Sequence, residues 1–193
     1  MLAGLNEKQI QSDVLQRLKE AVDLNMYELK CALGARPIGT IAWNARNLLE
    51  LAIWSEYSAL SQANAKEFLL DAARDAADIL DIPDGLLSHG SGLRTARQGL
   101  LDKAKEDGFD IEEDFTRVAT AAKRLGRGVF FKHLNKIFSK FAHPTAIAVI
   151  QSNQDVAQLL SEKYHKLGME LGEFSLRLIA QWREREAEAG STP

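Results

Sequence analysis

Two clusters in this sequence have residue types and spacing suited to an anionic substrate. The first is the run Ser139-Lys140-Phe141-Ala142-His143-Pro144-Thr145. A residue that precedes proline is pushed out of the α region, so His143 is predicted to leave the helix that carries Lys140, while Pro144 opens the next one. This puts an imidazole at a corner beside a positive helix N-terminus, where an anion is favoured. The plainer role for His143 is to cap that helix or to bond a backbone carbonyl.

The second cluster is a stripe of Trp43, Arg46, Glu50, Ile53 and Tyr57, spaced by three, four, three and four. Arg46 and Glu50 are thus flanked by aromatic and aliphatic side chains. An isolated charge there costs several kcal/mol, so the two are expected to pair at i, i+4 and to need further partners. His143 and Lys140 are the natural candidates. Two roles remain open: an interior ion pair that fixes helix register, or a polar pocket. In the pocket, Glu50 orients His143 or accepts its proton, and Arg46 holds an anion.

The charge distribution points to the same region. Net charge is −3, yet from Phe115 to Gln154 there is no Asp or Glu, while Arg117, Lys123, Arg124, Arg127, Lys132, Lys136 and Lys140 contribute +7, leaving −10 elsewhere. On a helical wheel Phe130, Leu134, Ile137, Phe138 and Phe141 share an arc of roughly 120°, the expected core face. Lys132, His133, Lys136 and Lys140 gather on one flank. That flank is either an anion-binding surface of Lys132, Lys136 and Lys140 or a solvated face that meets acidic helices of the same bundle.

Other chemistry has little footing. No HExxH pattern, phosphate-cradling glycine loop or serine-nucleophile motif occurs, so no metal or cofactor is expected. The acidic run Asp110, Glu112, Glu113 and Asp114 reads as a helix start. Cys31 has no disulfide partner in the chain, and its spacing from Leu24 and Tyr27 suggests a packed small apolar residue. No window approaches the roughly 20 apolar residues of a bilayer span, and no signal peptide is visible, so a cytoplasmic location with no membrane association is expected.

The elements that must position these residues are helices. Proline is scarce at four residues, strong helix formers abound, and no segment alternates with period two. The expected fold is all-α, a bundle of about six to eight helices in one domain over residues 1–193. Residues 1–6 and 187–193 should fray. Helices are expected at about Lys8–Leu33 (stopped by Gly34), Thr40–Leu60 (the central one), Ala63–Leu80, Leu93–Glu106, Asp110–Leu125 and Val129–Phe141, the last two hinged at Gly126-Arg127-Gly128. Ser88-His89-Gly90-Ser91-Gly92 reads as a loop. A long C-terminal helix covers about Asp155–Glu186, where Leu160, Tyr164, Leu167, Leu171, Phe174 and Leu178 alternate steps of four and three. That seam suits packing within the bundle or a homodimer contact.

Arg46-Asn47-Leu48-Leu49-Glu50 in an early helix, together with Phe138-Ser139-Lys140-Phe141-Ala142-His143-Pro144 after a helical hairpin, resembles uncharacterised bacterial proteins related to the HEPN helical superfamily. The resemblance spans about residues 40 to 150. It implies a helical bundle, often dimeric, of the kind found among RNA-cleaving toxins, phage-defence proteins and non-catalytic nucleotide-binding relatives. Active members carry Arg, four to six residues, then His, and act on the RNA phosphodiester. Arg127 and His133 have that spacing, with five residues between them. The sequence departs from the pattern at Gly128, where a polar residue usually follows the arginine, and at the His-Pro turn, where Lys140 rather than an arginine precedes His143. Two functions are therefore expected to compete. One is a HEPN-like protein that binds RNA, nucleotide or another phosphate-bearing ligand, with His143, Lys140, Arg46 and Glu50, or alternatively Arg127 and His133, acting on it. The other is a non-catalytic adaptor or structural dimer with a protein partner.

Overall fold

The computed structural model describes residues 7–34, 37–81, 90–106, 116–143 and 154–190, and every regular element among them is an α-helix. The seven helices are α1 (Glu7–Ala32), α2 (Ile38–Leu60), α3 (Gln62–Leu80), α4 (Gly90–Glu106), α5 (Val118–Arg124), α6 (Gly128–Ala142) and α7 (Gln154–Gly190). The all-α bundle and its long last helix agree with the sequence. No described helix is long and apolar enough to cross a membrane. Of the expected loop Ser88–Gly92, residues 88 and 89 lie outside the described residues, while Gly90–Gly92 form the first turn of α4. The helix expected over Asp110–Leu125 is not helical at Thr116 and Arg117, where an extended Arg117 is the N-cap residue of an α5 that starts only at Val118. The acidic run at 110–114 and the helix opening at Pro144 lie outside the described residues.

Local chemistry accounts for the helix ends. Gly34 follows α1 with φ +77, a left-handed conformation that a side chain disfavours. Ser61 caps α3, its hydroxyl accepting from the Asn64 amide at 3.1 Å. Between α5 and α6, Gly126 takes φ +71 and the Arg127 amide donates to Ala122 O at 2.7 Å, so the expected hinge is a hydrogen-bonded corner. At the other end α7 stays helical through Gly190, past the start of the predicted frayed tail at residue 187, and residues 191–193 are outside the described set.

Helix α2 is central because it is apolar nearly all round: Ile41, Ala45, Leu48, Leu49, Ile53 and Tyr57 are all buried. It touches α1, α3, α5, α6 and α7. Helix α7 lies against α1 and α2 through a small-residue strip. A Cβ on Gly168 would sit 2.6 Å from Leu29 Cδ2 and 3.2 Å from Ala45 Cα, and one on Gly172 would strike Met26. Glycine is needed at both places for close approach of the helices. The seam read from the sequence is packed within this bundle: Tyr164 and Leu171 are buried, and Leu160, Leu167 and Phe174 pack against the same core.

Several side chains face differently from expectation. On α6 the buried aromatics are Phe131, Phe138 and Phe141, while Phe130 and Ile137 are exposed. The helix is turned within its apolar arc so that the Phe131 edge meets α2. Cys31 is exposed, not packed, because α1 buries the Val22, Met26 and Leu29 stripe and turns Leu24, Tyr27 and Cys31 outward.

Candidate functional site

Arg46 organises the site. It lies on α2 where the buried stripe gives way to solvent, and its fork reaches in three directions. Nη2 is 3.0 Å from Glu50 Oε1, one turn along the same helix. Nε donates to Asn135 Oδ1 of α6 at 2.9 Å. Nη1 lies 3.3 Å from His143 Nε2. Guanidinium carries donors only, so in this contact Nε2 of His143 presents its lone pair to Arg46.

His143 reaches Arg46 through backbone geometry that the sequence imposes. It closes α6 as an extended residue, φ −110 and ψ 156, as the following Pro144 predicts. The end of α6 then approaches the first turn of α2 so closely that a Cβ on Gly39 would lie 3.0 Å from Phe141 O. His143 is exposed, and its ring stands edge to face with the Trp43 ring, 6.2 Å between centroids at 85°. The cluster therefore opens to solvent at Trp43 and His143 and is held from beneath by Glu50 and Asn135.

Glu50 is half-buried. Burial pushes its carboxyl above the usual glutamate value; Arg46 pulls it back by charge and hydrogen bond, and Asp75 of α3 adds to the upward push. The neighbouring Asp71 is driven up to about 6, first by burial, then by Asp75, with Arg117 opposing and Glu50 adding to the rise. Arg46 thus stands between a carboxylate group behind and an imidazole in front. No set of three His, Cys, Asp or Glu among the described residues is arranged to hold a metal ion.

Of the residues singled out in the sequence, Arg46, Glu50 and His143 are brought together. Lys132, Lys136 and Lys140 are exposed on α6, with Lys140 three residues before His143. The alternative pair is directed elsewhere. Arg127 makes a two-pronged contact with Glu56 of α2, at 3.1 and 3.3 Å, and His133 Nδ1 lies 2.8 Å from Val129 O of its own helix. Arg127, Glu56 and Phe130 border an apolar cleft of about 290 Å³, also lined by Leu49, Ile53, Leu171 and Phe174.

Sequence reasoning missed Asn135, Asp71 and a second polar network. Asn135 lies one turn from Phe131 and Phe138, so the correct core face of α6 is the signal that finds it. In the network, Glu67 accepts from Tyr57 Oη at 2.9 Å and from Thr116, and Arg124 Nη1 sits 2.6 Å from the same carboxylate. Burial alone pushes Glu67 up, but these hydrogen bonds and the arginine hold it below the usual glutamate range. Tyr57 and Thr116 are buried, and the four groups bond one another across α2, α3 and α5, which makes this network a tie between helices.

Set against family models, curated proteins and solved structures, the chain matches none of them.

Proposed function

We propose that this protein is an RNA-directed, HEPN-like helical protein whose Arg46–His143 pair takes a phosphodiester. The observation that carries the reading is the 3.3 Å approach of Arg46 Nη1 to His143 Nε2 at a solvent-open edge, between residues far apart in the chain. In this reading the phosphate enters between the two side chains. Arg46 neutralises charge on the non-bridging oxygens, with its fork held by Glu50 and Asn135. His143 Nε2 takes the proton from a ribose 2′-hydroxyl. The freed oxygen attacks the adjacent phosphorus, a 2′,3′-cyclic phosphate forms, and the 5′-oxygen leaves with a proton supplied by the imidazolium. No metal is needed. The exposed lysines of α6 supply attraction for flanking phosphates.

Cleavage of a labelled single-stranded RNA, and growth arrest on expression, test the reading with His143→Ala and His133→Ala made separately. Loss with His143→Ala and retention with His133→Ala is expected. Undiminished cleavage by the His143→Ala protein would overturn the assignment.

A non-catalytic adaptor is the second reading, favoured by the apolar cleft at Phe130, which is 48% exposed. Salt separates the two: RNA binding weakens steeply as salt rises, whereas docking of an apolar partner segment does not.

A further inference from the structure

The chain has three tryptophans, and the structure treats them differently. Trp54 and Trp182 are buried at 5% and 7% exposure, whereas Trp43 is left 46% exposed. It stands one helical turn before Arg46 on the same stripe, and its ring lies edge to face with His143. A half-open indole, a guanidinium and an imidazole therefore share one lip of the molecule.

We infer that Trp43 is a stacking platform for an unpaired base of single-stranded RNA, adjacent to the phosphate site at Arg46 and His143. This inference rests on the phosphate reading and specifies its substrate. The near-perpendicular ring geometry, 85°, means that the imidazole is not stacked on the indole. Every nucleobase offers a π face, and stacking on an aromatic side chain is how sequence-tolerant single-strand sites gain affinity. In a duplex those faces are already covered by neighbouring bases. Trp43 and Arg46 are separated along the axis by about 4.5 Å, three residues of helical rise. That spacing suits a base and the phosphate beside it, with the sugar bridging the two. Asn135 and Glu50, both committed to Arg46, keep the cation from folding over the indole.

The test uses the full chain and compares ribose 5-phosphate, adenosine 5′-monophosphate, a short oligoadenylate, and the same oligoadenylate paired with oligouridylate. Binding is followed by tryptophan emission and, independently, by calorimetry. The expected result is quenching by the nucleotide and an affinity roughly five- to a hundredfold above that of ribose 5-phosphate. Oligoadenylate should bind more tightly than its duplex. Trp43→Ala should bring the nucleotide-to-sugar-phosphate ratio close to one, and Trp43→Phe should retain part of it. Because the residue is half-exposed, both variants are expected to fold, and their melting curves verify this. Equal affinity for nucleotide and ribose 5-phosphate, both lost in Arg46→Ala, would overturn the stacking role while leaving the phosphate site standing. Equal binding of duplex and single strand would also overturn it. Absence of binding by all four at low salt would overturn both the inference and the reading beneath it.

Discussion

Arg46→Ala is the substitution whose consequences the structure specifies most fully. It removes the 3.0 Å pair with Glu50, the 2.9 Å bond to Asn135 and the 3.3 Å contact with His143. The side chains of the ion pair are 25% and 32% exposed, so full buried-pair values do not apply. Taking about 1 kcal/mol for the partly screened pair, about 1 for the Asn135 bond and little for the long His143 contact gives a loss of about 2 kcal/mol at pH 8. For a chain of this size that is roughly 4–8 °C in melting temperature. The loss should depend on pH. Glu50 already lies above its ordinary value of 4.5 because burial outweighs Arg46, and without Arg46 it rises further. A carboxyl raised in the fold destabilises the native state once ionised, and the penalty fades as pH falls toward the unfolded value. The melting difference between wild type and variant should therefore shrink by about half between pH 8 and pH 5. Adding Glu50→Gln to Arg46→Ala should abolish that pH dependence. Thermal melts at the two pH values decide it: an equal depression at both would show that Arg46 does not hold the Glu50 charge.

Two further measurements probe the surroundings. Asp71, raised from 3.8 to about 6, disfavours the fold above that range, and the penalty is relieved as pH drops through 6 toward 4. Asp71→Asn should accordingly stabilise the protein at pH 8 by about 1 kcal/mol after allowance for solvent screening, with no gain at pH 4; destabilisation at pH 8 would contradict the burial account. Gly168→Ala and Gly99→Ala should differ in sign. The first drives a Cβ to 3.2 Å from the Ala45 backbone, whereas the second meets nothing within 4 Å. Urea unfolding should show Gly99→Ala more stable by about 0.5–1 kcal/mol from helix propensity, and Gly168→Ala less stable because overpacking costs about 1–3 kcal/mol.

Much of the fold follows from short-range rules. Helices α1, α2, α3 and α6 begin and end close to where glycine, proline, serine and apolar periodicity place them, because propensity and capping act within a turn. By contrast, α4 starts inside the expected Ser88–Gly92 loop and α5 starts only at Val118. The Arg46–Glu50 pair is local for the same reason: i, i+4 on an apolar stripe leaves the two side chains beside each other. The extended backbone of His143 needs only the proline after it.

Tertiary structure decided which of these local features meet. Helix α6 carries two overlapping apolar stripes, one through Phe130 and Ile137 and the other through Phe131 and Phe138, and a wheel cannot choose between them. Packing on α2 buries the second stripe and brings Asn135 round to Arg46. Arg127 and His133 fit a spacing pattern along the chain, yet the fold turns one to Glu56 and the other to its own helix. Arg46 and His143 follow no spacing rule, being 97 residues apart, and meet because Gly39 lets the end of α6 approach the start of α2. The sequence by itself determined the helices, the charge pair and the corner at His143, since each depends on neighbours within a few residues. Their convergence at one solvent-open lip required the bundle, since only packing fixes how one helix is rotated against another.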